Sequence, residues 1–471
     1  MTTAALLLFA GAAAAVAECV TDARRISTRS AVPNLIAGPS AWSGFGLGVA
    51  KTQDGDPDSI WFAVYDEMLQ PLVGDKRVVT DAGDKDALID LVWNGLEYGL
   101  FYRAETRLHL QRLSSSGELL GGPIVIDPAR VATIRQPIKV EWSDALNAWV
   151  VARVITSGTR RDLWTIVVER NGAVRHEQSL ATAPDSNPYL QLAVTDSGVI
   201  GVFNVSGGDD SLHYTRYVPG QSQFPPTKTI APSGVRTQVL AIGERFVIAR
   251  SVEDDIRWMI IDTNGAVVKN DALLVEAEDG EAVLPYALAE GDGELALTYS
   301  HTSTTNEPDF RLRRFTLDGT VISDTLFAAS ETRARYAFTP YPAVWNGTSW
   351  LIAAARNSAT NGDSWIERYC PLAVQILANP IAKLGQPATF RAFVSGGAPG
   401  YQFEWSFTRD PGGNKRTEVV ERTYGQPGNA VATLKVTDSS GETETHQFAF
   451  TVVPDQPEPD PVKGRRRAVR K

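Results

Sequence analysis

Cysteine and histidine are scarce in this chain, and beyond its first residues no apolar run is long enough to cross a bilayer. Five histidines are present, His109, His176, His213, His301 and His446, and each stands alone. That scatter excludes metal-ligand spacings such as H-E-x-x-H, so each histidine reads as a strand or surface residue. No G-x-S-x-G elbow with triad partners occurs, and no phosphate-cradling Gly loop opens a helix. Neither cysteine has a plausible base nearby, which removes thiol catalysis. Helical periodicity is nearly absent between residues 40 and 370. Positive charge is in deficit: 45 Lys and Arg against 55 Asp and Glu give a formal net charge of −10. An acidic surface opposes phosphate neutralisation, so no nucleic-acid partner is expected.

What is present begins with an apolar, small-residue stretch from Ala4 to Ala17. Ala15-Val16-Ala17 suits a small-x-small cleavage site, which makes residues 1–17 an expected signal peptide and the protein secreted, extracellular or in the cell envelope. Glu18 stands before Cys19 where a lipoprotein signal needs a small residue, so lipid attachment is not expected. The two cysteines, Cys19 and Cys370, are a disulfide candidate in an exported protein, with two free thiols as the alternative.

The strongest signal is an internal repeat. A turn recurs at Trp42-Ser43-Gly44, Trp93-Asn94-Gly95, Trp142-Ser143-Asp144, Thr195-Asp196-Ser197-Gly198, Gly243-Glu244, Gly291-Asp292-Gly293 and Trp345-Asn346-Gly347. An apolar run follows each turn, as in Tyr98 to Tyr102, Trp149 to Arg153, Phe246 to Arg250 and Trp350 to Arg356. Then come a polar loop, a second strand ending in a Gly turn (Ser116-Gly117, Asn171-Gly172, Asn264-Gly265, Asp318-Gly319) and a short final strand. Asn-Gly and Asp-Gly supply the positive φ of a tight hairpin. Four short antiparallel strands per unit make one blade, so the expected fold is all-β, a seven-bladed β-propeller over residues 18–372.

The last unit stops at Cys370 and Pro371 without a fourth strand, while Val20 to Ser27 precedes the first unit unassigned. This segment is expected to pair onto the last blade, removing an open edge. Cys19 would then lie beside Cys370, and a bridge there would clamp the ring. The Trp-Asn-Gly turn followed by an aromatic and apolar run resembles the repeat of secreted bacterial β-propeller proteins of unassigned function, over roughly residues 20–372.

A different pattern occupies 373–453. Gly400-Tyr401-Gln402-Phe403-Glu404-Trp405, the alternating Ala430 to Val436 and the turn Thr437-Asp438-Ser439-Ser440-Gly441 suit an Ig-like β-sandwich. These residues resemble PKD domains, although Ser406-Phe407-Thr408-Arg409 follows the Trp in place of a Gly-Asp-Gly turn. The resemblance implies a spacer or adhesive module. Residues 454–471 are expected to be a disordered Pro-rich linker and basic tail, ending Arg465-Arg466-Arg467-Ala468-Val469-Arg470-Lys471.

Recurring acids offer a candidate site. Asp58, Asp162, Asp210, Asp255, Asp309 and Asp363 are placed between second and third strands, on one face of the ring. They read either as a ligand-binding ring or as hairpin caps accepting backbone N–H bonds, and recurrence favours caps. Asp54, Asp56 and Asp58 alternate as in a Ca²⁺ loop but lack its Gly and bidentate Glu, so no cofactor is expected unless this loop takes calcium. Trp61, Trp164, Trp258 and Trp365 fall on third strands and read as inter-blade core rather than sugar platforms. The leading expectation is a monomeric, non-enzymatic interaction or adhesion protein that binds a protein or glycan, with no membrane span. The alternatives are a glycosidase- or lyase-like enzyme with acids at the channel mouth and a structural envelope component.

Overall fold

The computed structural model of the chain describes residues 22–26, 35–53, 59–80, 88–104, 107–126, 138–157, 160–182, 190–205, 211–221, 225–232, 236–278, 280–303, 309–326, 338–340, 343–356, 363–409 and 415–454. The expected signal peptide and basic tail lie outside these residues, as do Cys19, Asp54, Asp56, Asp58 and Asp210. Every regular element among the described residues is a strand. One compact unit comprises Thr21–Tyr369 with Ser439–Glu442, and the other comprises Cys370–Asp438 with the segment from Thr443.

The first unit is a seven-bladed β-propeller. Blade 1 is β2 (Leu35–Trp42), β3 (Leu47–Gln53), β4 (Ile60–Tyr65) and β5 (Pro71–Val79). Blade 2 is β6 (Leu88–Trp93), β7 (Tyr98–Ala104), β8 (Arg107–Leu113) and the short β9 (Ile124–Val125). Blade 3 is β10 (Ile138–Ser143), β11 (Ala148–Ser157), β12 (Arg160–Glu169) and β13 (Val174–Thr182). Blade 4 is β14 (Leu190–Val194), β15 (Ile200–Val205), β16 (Leu212–Tyr217) and β17 (Lys228–Ala231). Blade 5 is β18 (Thr237–Ile242), β19 (Arg245–Val252), β20 (Asp255–Asp262) and β21 (Val267–Val275). Blade 6 is β22 (Glu281–Gly291), β23 (Glu294–Ser303), β24 (Asp309–Phe315) and β25 (Val321–Leu326).

Blade 7 has its inner strand in two pieces, β26 (Phe338–Pro340) and β27 (Val344–Trp345), followed by β28 (Trp350–Arg356) and β29 (Asp363–Tyr369). Its outer strand is β1 (Asp22–Arg25), which pairs antiparallel with β29, Asp22 opposite Arg368 and Arg25 opposite Trp365. The first strands of successive blades pack side by side, β2 to β6, β10, β14, β18, β22 and β27, and β27 returns to β2. They enclose a central channel.

Seven apolar layers separate the seven blades, one per junction. The layer between blades 7 and 1 joins Leu351, Ala353 and Ile366 to Leu47, Val49, Ala63 and Ile26. The aromatic after each turn explains much of this packing. Tyr98, Trp149 and Phe246 stand near the start of a second strand, fully buried. Each lies over a glycine in the second strand of the preceding blade. A Cβ on Gly48 would meet Tyr98 at 2.7 Å, one on Gly99 would meet Trp149 at 2.9 Å, and one on Gly201 would meet Phe246 at 2.8 Å. The bulky residue of one repeat and the small residue of the one before it are therefore one packing unit, in keeping with close-packed interiors.

A polar position recurs four residues into these strands, counted from Leu47, Tyr98, Trp149, Ile200, Phe246 and Leu295: Lys51, Tyr102, Arg153, Asn204, Arg250 and Tyr299, all buried. In four blades it reaches across the third strand to an acid of the fourth. Lys51 pairs with Asp75 at 2.6 Å, Arg153 with Glu177 at 3.5 Å and Arg250 with Asp271 at 2.9 Å, and the Tyr299 hydroxyl donates to Asp324 at 2.8 Å. Burial holds the Lys51 ammonium below its ordinary pKa, and the adjacent Asp75 opposes that shift.

The second unit has two sheets. One is β30 (Ala373–Ala378), β32 (Pro387–Ser395) and β34 (Val419–Thr423). The other is β31 (Ile381–Lys383), β36 (Thr443–Val453), β35 (Gly428–Thr437) and β33 (Gln402–Phe407), with β31 and β36 parallel. Trp405 is fully buried among Phe390, Val420, Leu434, Val436 and Phe450, as the core Trp of an Ig-like sandwich.

Candidate functional site

Each blade is an antiparallel meander, so its connections separate by face. The turns from first to second and from third to fourth strands leave at one end. The connections from second to third strand, and the links to the next blade, leave at the other. That second face is where the sequence placed the recurring acids. The structure moves several of them out of the loops. Asp162 lies inside β12, opposite Ile155, and Asp255, Asp309 and Asp363 open β20, β24 and β29. The ladders extend further than the polar composition suggested, because the pairing continues to the tip where the connecting loop is as short as 253–254. Asp255 is half-buried, and its Oδ1 accepts the Ala277 N–H at 2.9 Å, tying the end of its blade to the link that follows.

The histidines are held by neighbours within strands. His109 stacks on Tyr102, His176 stacks on Tyr217, and His301 Nδ1 lies 2.8 Å from Glu281. Among the described residues, no group of three or more His, Cys, Asp or Glu side chains could hold a metal ion. Trp258 is 1 % exposed in the layer between blades 5 and 6, while Trp61, Trp164 and Trp365 are half-buried.

The sequence reading missed a set of polar residues on first strands. Asp90 is the third residue of β6, and Lys139, Gln191 and Gln238 are the second residues of β10, β14 and β18. All four are half-buried. They share one level, near the end of the channel where the between-blade links arrive. Glu141 lies two residues further along β10. The backbone explains why acids are placed here. First strands of neighbouring blades splay apart and do not share a ladder, so their N–H groups need other acceptors. Asp90 accepts from Leu91 N–H at 2.9 Å and from Val140 N–H of the next blade. Glu141 accepts from Val194 N–H, again of the next blade, at 2.9 Å.

Both residues are half-buried, and protein surrounds their carboxyls. Burial pushes Asp90 up to about 6, opposed by the Lys139 ammonium and the two backbone N–H bonds. Burial pushes Glu141 up to about 8; the Val194 N–H opposes the shift and the Asp90 charge adds to it. Near neutrality the site therefore offers an ionised and a protonated carboxyl beside an ammonium, with two amides in the neighbouring blades. One signal was available in the sequence: Asp90, Lys139 and Gln191 each fall three residues before the residue that leads into a turn, Trp93, Trp142 and Val194.

Residues 370–452 match the family model of the PKD domain, and this part of the chain is a PKD domain. No curated protein matches the chain in sequence. Among solved structures it is similar to the extracellular domain of the hybrid two component system BT4673 from B. thetaiotaomicron, with 8% identity and a TM-score of 0.41 over 93% of this chain and 59% of that one. It is similar to prolyl oligopeptidase B from Galerina marginata, with 8% identity and a TM-score of 0.41 over 68% of this chain and 46% of that one. It is also similar to the Dos1 propeller, with 10% identity and a TM-score of 0.40 over 70% of this chain and 78% of that one. The chain thus spans less than two thirds of the first two. No helix among the described residues is long and apolar enough to cross a membrane.

Proposed function

We propose that this is an exported binding protein whose propeller holds a glycan or a protein on the face that carries the between-blade links, with the PKD domain as a spacer or adhesive module. The observation that carries this reading is the contrast between faces. Links between blades range from 232–236 and 276–280 to 126–137 and 327–337. Turns from first to second strand are uniformly tight, from 243–244 and 292–293 to 195–199 at most. The third-to-fourth turns of that face are short hairpins except at 114–123 and 218–227. In repeat folds, length variation gathers on the binding face. A ligand-binding role for Asp162, Asp210, Asp255, Asp309 and Asp363, and calcium at Asp54, Asp56 and Asp58, belong to this proposal and are tested with it. The test is glycan-array and pull-down profiling of the full chain. Saturable binding that is lost when 126–137 and 327–337 are replaced by short Gly-Ser links supports the reading; no binding to any glycan or protein overturns it.

Export and ring closure belong to the same proposal. The apolar stretch Ala4 to Ala17 and the PKD domain support export. A Cys19–Cys370 disulfide is supported by the pairing of β1 with β29 and by the complete burial of Cys370.

A second reading, a glycosidase- or lyase-like enzyme, is favoured by one observation. Burial raises Asp90 to about 6 and Glu141 to about 8, with the Asp90 charge adding to the second shift, and two carboxyls held apart in this way are what acid and base roles use. Release of reducing ends from a polysaccharide by the wild type, abolished in Glu141→Gln, would replace the binding reading with this one.

A further inference from the structure

We infer that Arg314 and Tyr369 form a carboxylate receptor in the propeller, with the turn Ser439–Glu442 as its built-in ligand. The turn is a latch that completes the junction of blades 6 and 7, and it is independent of any ligand on the face of the between-blade links. It is remote from both residues in sequence yet belongs to the same compact unit. Arg314 Nη1 donates to Glu442 Oε1 at 2.5 Å, and the Tyr369 hydroxyl donates to Glu442 Oε2 at 2.5 Å. Each carboxylate oxygen therefore meets its own donor. Arg314 lies in β24 of blade 6 and Tyr369 ends β29 of blade 7. Both are buried, as are Glu442 and Ser323, whose hydroxyl lies 3.4 Å from that of Tyr369.

Blade 2 shows what the same position does without the turn. Arg112 stands opposite Gly99 and Arg314 opposite Ala296, the same place in their blades. Each arginine pairs through Nε and Nη2 with the acid that precedes the bulky residue of its second strand. The distances are 2.9 and 2.8 Å from Arg112 to Glu97, and 2.9 and 2.7 Å from Arg314 to Glu294. The Arg112 side chain is 25 % exposed, so water can serve its remaining nitrogen. The Arg314 side chain is 4 % exposed, which closes that route, and its Nη1 meets Glu442 instead. A buried guanidinium left short of an acceptor is costly. Burial works against the Arg314 charge, and Glu442, Tyr369 and Glu294 together overcome it and hold the guanidinium above its ordinary pKa. Burial, and then the Glu442 charge, push the Tyr369 hydroxyl up to about 12, so it keeps its proton and donates. Two donors facing two oxygens select a carboxylate; an amide would turn its own N–H₂ toward one of them.

The experiment uses the full chain and chemical rescue. Glu442→Ala is expected to lower the melting midpoint by several degrees. Sodium acetate, titrated at constant ionic strength against sodium chloride, is expected to restore part of that loss and to saturate. Acetate is expected to leave the wild type unchanged, because Glu442 already fills the receptor, and to do nothing for Arg314→Met/Glu442→Ala. An unchanged midpoint in Glu442→Ala overturns the latch. A lowered midpoint that acetate does not raise overturns the receptor, and so does an equal acetate response in the wild type or the double variant. If Glu442→Ala does not fold, a double-mutant cycle between Tyr369→Phe and Glu442→Gln decides. The two losses are expected to be less than additive, since both remove the same bond; additive losses overturn the inference.

Discussion

Glycine serves two separate purposes in the hairpins between third and fourth strands. Gly265 has φ of 73° and Gly319 has φ of 92°, a conformation that residues with a Cβ avoid. A Cβ on Gly265 would also approach the Tyr214 ring of the preceding blade at 2.9 Å, and one on Gly319 would approach Trp258 at 2.8 Å. Gly293 isolates the first effect, because its φ is also 73° but nothing lies within 4 Å of its added Cβ. Gly293→Ala is expected to cost about 1 kcal/mol, and Gly265→Ala a further 1–3 kcal/mol or so from overpacking. Equal losses in urea denaturation would show that the inter-blade contact contributes nothing. The channel carboxyls make a second residue-scale prediction. Glu141 and Asp90 hold their protons in the folded protein at pH values where the unfolded chain has released them. Their contribution to stability is full below about pH 4 and declines as pH rises through about 6 for Asp90 and about 8 for Glu141. Stability is therefore expected to fall from pH 5 to pH 8. Glu141→Gln, which keeps an acceptor for Val194 N–H, should flatten the upper part of that slope. An unchanged slope in this variant would assign the pH dependence elsewhere.

The decisive element is β1. It supplies the fourth strand of blade 7, and its neighbours bind it to blade 1 as well. Arg24 donates to the Leu69 carbonyl at 2.9 Å and to Gln70, and Lys51 Nζ reaches the Ile26 carbonyl at 3.4 Å. Similar bonds join other blades at their hairpins, where Lys76 reaches Glu118 and Lys269 reaches the Asp318 carbonyl at 2.6 Å. A chain beginning at residue 35 would lack β1, expose β29 as an edge and leave Lys51 short of one acceptor. Such a chain is expected to self-associate, with a melting midpoint lower by several degrees. Light scattering and calorimetry check this, and a monomer with wild-type stability would remove β1 from the closure. Within the second unit, Trp405→Ala is expected to cost about 3–5 kcal/mol, because the ring is fully buried and its Nε1–H donates to the Thr417 carbonyl at 2.8 Å. The strand of Trp405 was legible from its aromatic alternation, and β1 was legible from what the last unit lacked. The pairs Lys51–Asp75 and Arg250–Asp271 were not, because each partner lies across an intervening strand and no local pattern joins them.

For the whole molecule, stability depends on a ring that closes only when its first and last residues meet. Seven apolar layers make each blade depend on both neighbours, so loss of one junction is felt around the ring. The proposed Cys19–Cys370 bridge would fix that closure. Mass spectrometry of unreduced protein is expected to find no alkylatable thiol, and reduction to lower stability by about 2–5 kcal/mol; a free thiol at Cys370 would refute the bridge. The amino-acid sequence by itself determined the strand content, the period, the blade number and the sandwich core, because turns, alternation and Gly-aromatic spacing act within a few tens of residues. Only the tertiary structure decided that Asp90 and Glu141 each accept from the backbone of the next blade, with Lys139 beside them. Donor and acceptor belong to different repeats, and no short-range pattern distinguishes a polar residue facing solvent from one facing a neighbouring blade. Closure of the ring makes that distinction, by turning one end of each first strand toward a common axis.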